Sequence, residues 1–189
     1  MAAVWSESLK VLWLALPVVI AAVVLTVTNK FDLAPGLKLP LDRGLSFRGA
    51  RLFGDNKTLR GALIYVVISG LAVIPQGAFR VPSLELFDYS QTYLPYAIDV
   101  GLLLGLGWVL GELPNSFLKR QQGVPPGESG RWWNAVLDQV DSLFGSLLCL
   151  LPVFVAPWHV WVLVLVICTG LHVAFNALFV LIGIKENIL

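Results

Sequence analysis

Charge is scarce in this chain. Only 13% of its 189 residues are Asp, Glu, Lys or Arg, against 57% hydrophobic. A soluble domain carries about 25% charged and about 45–50% apolar residues. The shortfall argues against an ordinary water-soluble globule and for a polytopic membrane protein. Cysteine is scarce too: Cys149 and Cys168 both lie in apolar runs, with no C-x-x-C or Cys/His cluster beside them. Neither a zinc site nor a disulfide framework is expected. The N-terminal apolar run is too long for a signal-peptide core and lacks a clear small-residue cleavage site. No repeat or low-complexity stretch divides the sequence, so residues 1–189 read as one membrane-embedded domain. The net charge of +1 identifies no partner, because the charges are clustered. Nucleic acid is not an expected partner.

What is present is long apolar runs. A bilayer core about 30 Å thick takes about 20 apolar residues as helix. Five runs are candidates: Leu9 to Val27, Leu59 to Ile74, Tyr96 to Leu113, Val136 to Val155 and Val160 to Ile184. Pro17 and Pro152 fall inside such runs, which membrane helices tolerate. The expected fold class is therefore all-α, with about five transmembrane helices. The segments at about 29–58 and 115–135 hold most of the basic residues, among them Lys30, Lys38, Arg43, Arg48, Arg51, Lys57, Lys119, Arg120 and Arg131. The segment after the second run has Arg80 with Glu85 and Asp88, and the connection around Pro157 has no Lys or Arg. By the positive-inside rule the two basic loops face the cytoplasm, the N-terminus lies outside and the C-terminus, with Lys185, inside. Trp5, Tyr96, Trp158 and Trp161 suit interfacial positions.

Against this background the acids at the ends of the runs stand out. A carboxylate at mid-bilayer costs at least about 2.5–3.5 kcal/mol, so such residues usually have a partner or a task. Glu112 ends the third run, and Asp138 and Asp141 open the fourth; all three approach the same cytoplasmic level. Asp99 starts the third run at the other side. Positions three apart share a helix face, so Asp138 and Asp141 present two carboxylates side by side. Such a pair repels unless a cation sits between them. Mg²⁺ suits the site, being commonly held by one or two carboxylates plus substrate phosphates. The competing reading makes both aspartates helix-start residues, favoured by the helix dipole and hydrated at headgroup level.

The basic loops carry their own candidates. Lys119 and Arg120 follow the third run near Ser116, offering a point charge and a planar fork for phosphate. Orientation alone also accounts for such a pair. The stretch LFGDNKTLRG, residues 52–61, lacks Walker A spacing and is not a P-loop. It offers Gly54, Asp55 and Asn56 for a turn, Thr58 as a helix cap, and Lys57 and Arg60 beside the exposed N–H groups of a helix start. An ordinary cap with topological charge is the alternative. His172 and Asn176 share a helix face and read as a polar pair packed on a neighbouring helix.

In order, FGDNKTLRG, GELPNSFLKR, GVPPG and LDQVDSLFGSLL, from about residue 45 to residue 148, resemble the archaeal CDP-archaeol synthase family. That family comprises integral-membrane CTP:phospholipid cytidylyltransferases, and the five-span layout also matches. Related phosphatidate cytidylyltransferases share a Ser…Lys-Arg…Asp-x-x-Asp skeleton, echoed by Ser116, Lys119, Arg120, Asp138 and Asp141. Their Lys-Asp step and Gly-Gly before the acidic pair are missing here, and Gly111-Glu112 stands where Gly-Asp is expected. The resemblance implies transfer of a cytidylyl group from CTP to a membrane lipid phosphate, giving a CDP-lipid of archaeol or diacylglycerol type and pyrophosphate. It implies one or two Mg²⁺ on Asp138 and Asp141, with Glu112 as a further ligand. Lys119 and Arg120 would neutralise the triphosphate, and Asp55, Asn56, Lys57, Thr58, Arg60 and Ser116 would bind substrate. The expected setting is the cell membrane, with the active site facing the cytoplasm. A small ion- or proton-coupled transporter is the rival reading; it prefers acids stepped across the bilayer.

Overall fold

A computed structural model describes residues 2–78, 98–128, 130–153 and 157–181. Five α-helices form among them: α1 (Ala2–Lys30), α2 (Leu59–Ala78), α3 (Ile98–Gln121), α4 (Trp132–Leu150) and α5 (Trp158–Leu181). Between α1 and α2 lie a single 3₁₀ turn (Pro35–Leu37) and a hairpin of β1 (Ser46–Phe47) with β2 (Ala50–Arg51). The expected limits at Tyr96, Val155 and Ile184, the side chain of Trp5, and Arg80, Glu85, Asp88 and Lys185 lie outside the described residues.

Among the described residues, four helices are long and apolar enough to cross a membrane: α1, α2, α3 and α5. α4 is the exception, and its composition explains why. It carries Asp138 and Asp141, both half-buried, and buries Asn134, Ser142 and Ser146. Its polar face turns into the bundle, and Leu137, Phe144 and Leu148 are exposed on its other face. Leu143, Leu147 and Leu150 of α4 join Val11, Leu14, Val18, Val73, Val100, Leu104, Val160 and Val164 in one core.

Several predicted boundaries move. The third span does not stop at Leu113, because α3 runs on to Gln121. Lys119 and Arg120 fall in its last turn, where cations complement the helix dipole. Gly123, at φ +75°, then ends the helix: its N–H bonds the Arg120 carbonyl at 3.1 Å and that of Val124 bonds Lys119 at 3.0 Å, a Schellman closure. Ser116, Lys119 and Arg120 are therefore helical residues, and the loop begins near residue 122 instead of 115. The fourth span likewise starts at Trp132, ahead of Val136, and ends at Leu150, two residues before Pro152.

Paired glycines set the helix spacing. A Cβ on Gly101 or Gly105 would strike the backbone of α2 at Ser69 or Tyr65. One on Gly107 or Gly111 would strike α4 at Gly145 or Asp141. α3 thus carries two small-xxx-small stripes, one for each neighbour, which allow close backbone approach in lipid. Pro17 leaves the Trp13 carbonyl in α1 without its helical N–H, and Gln76 Nε2 of α2 supplies one at 2.7 Å.

Candidate active site

The glycine contact between α3 and α4 brings three acids to one end of the bundle. Glu112, Asn115, Ser116 and Lys119 recur at three- and four-residue intervals on α3, so they share a face. Opposite them stand Asp138, Asp141 and Ser142 of α4. Asn115 Nδ2 donates to Asp138 Oδ1 at 2.7 Å and to Asp141 Oδ2 at 3.0 Å. Ser142 Oγ lies 3.0 Å from Asp141 Oδ1 and 3.2 Å from Glu112 Oε1, joining the remaining pair. Lys119 Nζ bonds both oxygens of Asp138, at 2.8 and 2.9 Å. From the loop ahead of α2, Lys57 Nζ pairs with Glu112. Burial works against the charge on Lys57, but Glu112, with Asp141 and Asp138 behind it, holds the ammonium above its ordinary range.

Arg120 completes the site differently. It is 6% exposed, and its Nε and Nη1 have no hydrogen-bond partner among the described residues. A buried guanidinium without an acceptor is costly, so the position suits an incoming anion. Gly54 abuts it: a Cβ there would lie 3.3 Å from Arg120 Nη1 and 3.0 Å from Pro126 Cγ. With φ at +93° as well, only glycine meets both demands.

The other expected site residues divide. Thr58 caps α2, its Oγ1 accepting from Gly61 N at 3.2 Å. Ser116 is buried on α3. Asp55 points outward and pairs with Arg51 at 3.0 Å, and Asn56 is exposed. Arg60 is not brought to the acids. It is 3% exposed and donates to Asp32 Oδ1 (3.0 Å), the Leu33 carbonyl (2.7 Å) and Asn29 Oδ1 (2.8 Å). It ties the end of α1 to the start of α2.

Sequence reasoning missed Asn115, Ser142 and Asp42. The Asp42 carboxylate is fully buried and accepts from the backbone N–H of Gly44, Phe53 and Gly54, each at 3.0 Å, and from Arg51 at 2.5 and 3.2 Å. Burial pushes its pKa up, but these bonds outweigh it and hold the carboxyl well below the usual range. Asp42 thereby fixes the loop that presents Gly54 and Lys57. Its one sequence signal is Asp-Arg-Gly, an Asx-turn pattern.

A cavity of about 250 Å³ lies beside the charged end. Its lining runs along α1 from Leu14 to Asn29, about 22 Å of helix. Tyr65, Trp108 and His172 form an aromatic wall, with ring centroids 5.5 Å apart for Tyr65–Trp108 and 5.6 Å for Trp108–His172. Trp108 sits one turn from Glu112 on α3, so apolar slot and charged cluster adjoin. No group of three or more His, Cys, Asp or Glu forms a ready metal cage among the described residues. Asp138 and Asp141 do offer carboxylate oxygens, bridged by Asn115 Nδ2, while Asn115 Oδ1 at the other end of that amide is buried without a partner among the described residues.

Helices enclosing a charged centre beside an apolar slot define a polytopic membrane protein built for chemistry at the lipid boundary. A solved structure of an intramembrane enzyme for archaeal membrane lipids biosynthesis matches with a TM-score of 0.56 at 25% identity, covering 87% of this chain and 91% of that one. The CDP-archaeol synthase of Methanoculleus marisnigri is 37% identical over 161 residues, 78% of this chain and 87% of its own. That of Pyrococcus furiosus is 34% identical over 174 residues, 90% of this chain and 91% of its own. The CarS-like family model for CDP-archaeol synthase matches residues 4–188. The chain belongs to the CDP-archaeol synthase family. The transporter reading gains no support, because Glu112, Asp138 and Asp141 converge at one level.

Proposed function

We propose that the chain transfers the cytidylyl group of CTP to a lipid phosphate, releasing pyrophosphate. The observation that carries this reading, beside family membership, is the cluster of Glu112, Asp138 and Asp141 with Lys57, Lys119 and Arg120 at the mouth of an apolar slot. The lipid phosphate is already an anionic nucleophile, so no strong general base is needed. Its oxygen attacks the α-phosphorus, a new P–O bond forms, and the bond to the bridging oxygen breaks. Positioning and charge neutralisation supply the catalysis.

The residues present have fitting roles. Arg120 receives the triphosphate oxygens, for which its free N–H groups are suited. Lys119 and Lys57 share phosphate charge with the acids they contact. The slot along α1 receives a lipid chain, with Trp108 marking its headgroup end. Asp138 and Asp141 would hold Mg²⁺ through their carboxylate oxygens, with Glu112 as a further ligand. Bound there, the metal would supply positive charge that offsets that of the phosphates. The basic end of the bundle faces the cytoplasm, where CTP is available, and the membrane is the cell membrane.

The test is turnover. Purified protein in bilayers receives labelled CTP, Mg²⁺ and a panel of ether- and ester-linked lipid phosphates. CDP-lipid and pyrophosphate should form in equal amounts, and Asp141→Asn, still folded, should lose turnover at least 100-fold. No product from any lipid phosphate would refute the assignment.

A further inference from the structure

The segment between α1 and α2 is unusual for one outside the helices. Phe31, Leu33, Leu37, Leu39, Leu45 and Phe47 are all exposed, Phe31 at 66% and Leu45 at 64%. Cations are interleaved with them. Lys30, Arg43 and Arg48 are exposed and have no ion pair among the described residues. The acids of the segment are already engaged: Asp42 with Arg51, and Asp32 with Arg60 and Lys38. Arg48 stacks over Phe47, its guanidinium carbon 5.2 Å from the ring centroid.

The segment is also held in place. Leu41 N bonds the Lys57 carbonyl and Leu59 N bonds the Leu39 carbonyl, each at 2.8 Å, pinning its middle to the start of α2. Phe47 leans on Phe117 of α3 at 5.9 Å. α1 and α2 both enter the bilayer beside it, so exposed leucines and unpaired cations lie where a membrane surface begins. An aqueous loop gains nothing from such side chains. An interfacial one buries the apolar groups at the acyl boundary and sets the cations among headgroup phosphates.

We propose that residues 30–48 form an interfacial segment that seats in the anionic headgroup layer of the bilayer holding the helices. Leu45 and Phe47 reach the acyl boundary, and Arg43, Arg48 and Lys30 engage lipid phosphates. One consequence rests on the proposed activity: the segment gathers anionic lipid, the substrate's own charge class, beside the slot.

Depth is measurable without turnover. Leu45→Cys, in a background with Cys149 and Cys168 replaced by serine, carries a nitroxide in vesicles of phosphatidylcholine with or without phosphatidylglycerol. A nitroxide at Glu128→Cys, in the loop between α3 and α4, is the reference. With phosphatidylglycerol, the Leu45 probe should be reached by oxygen more readily than by a water-soluble nickel chelate, and the Glu128 probe should not. The double change Arg43→Asn and Arg48→Asn should move the Leu45 probe toward water and remove its dependence on phosphatidylglycerol. Both arginines have positive φ, which asparagine adopts readily, so the fold is spared. In the active enzyme the double variant should raise KM for lipid phosphate on the order of fivefold per cation, with kcat and KM for CTP unchanged. A Leu45 probe as open to nickel as the Glu128 probe in both vesicles would overturn the inference. So would equal shielding in neutral detergent micelles, which would assign the cover to another part of the chain or a second copy. Absence of turnover in every variant would refute the proposed activity and leave the depth result standing.

Discussion

Replacing Gly145 with alanine adds one methyl group where α3 and α4 touch. That Cβ would lie 2.6 Å from Gly111 Cα and 2.7 Å from Gly111 N. Carbon atoms settle at about 3.5–4.0 Å, so the helices must part by about 1 Å at this level. Glu112 and Ser142 each follow one of the contacting backbone positions. Their contact, now 3.2 Å, would pass beyond hydrogen-bond range. The helices remain apolar and paired elsewhere, so overpacking should destabilise the protein by only about 1–3 kcal/mol. Turnover should suffer more, because displacing catalytic groups by about 1 Å costs on the order of 100-fold. The assay is CDP-lipid formation by protein that elutes as wild type does and melts cooperatively. Gly170→Ala is the control, since a Cβ there meets nothing within 4 Å. It should retain full activity. A folded Gly145→Ala enzyme with wild-type kcat and KM would show that the α3–α4 spacing does not set the site.

Asp42→Asn should loosen residues 42–54 by about 2–4 kcal/mol, since one oxygen no longer accepts from amides and Arg51 loses its buried charge partner, keeping only the exposed Asp55; faster amide exchange there, with melting of the bundle little changed, is the expected readout. The same carboxyl carries a pH signature. Its folded-state pKa is depressed, so its stabilisation is complete above the ordinary value of 3.8 and is lost as pH falls below that toward the folded value. The exchange difference between wild type and Asp42→Asn should therefore be constant above about pH 5 and shrink below pH 4; a difference that shrinks on raising the pH would contradict the assignment. Arg60→Gln should lower the melting temperature while leaving kcat within about threefold, because its donors bind α1. Unchanged melting with lost CTP turnover would instead make Arg60 a substrate ligand. Arg120→Gln should raise KM for CTP at least tenfold without lowering stability, because it relieves an unpaired buried charge.

Apolar run length pointed to five spans, each of which is a helix and four of which are long and apolar enough to cross a membrane, and the acids at the ends of the third and fourth runs were legible because lipid makes them costly. Thr58 was legible as a cap because the rule is local. The misplaced end of α3 has a physical cause: a Lys-Arg pair signals both a membrane boundary and a helix C-terminus, and here it is the latter. Arg60 shows the limit of counting charge. It stands three residues from Lys57, yet one side chain faces α1 and the other α3. Asp42 was not legible as a site residue, because the amides it organises lie eleven and twelve positions away and only folding brings them together.

The unread glycines bear most directly on mechanism. Asp138 and Asp141 share a face of α4 by helical spacing alone, but that spacing does not say what they face. Gly107 and Gly111 decide it, by letting α3 approach until Glu112 and Asn115 meet the pair. Close approach of like charges is unfavourable unless donors intervene. Asn115, Ser142, Lys57 and Lys119 each place a donor between or beside the acids. Two of the four, Asn115 and Ser142, are neutral and hold the carboxylates to one another. The other two are cations that also face the space where phosphates are proposed to bind. A site assembled this way sets each acid against a donor, with the lysines no more exposed than the acids they pair with. Three acids and two cations gathered at one level fit the proposed handling of phosphate charge; a proton relay would step its groups across the membrane instead.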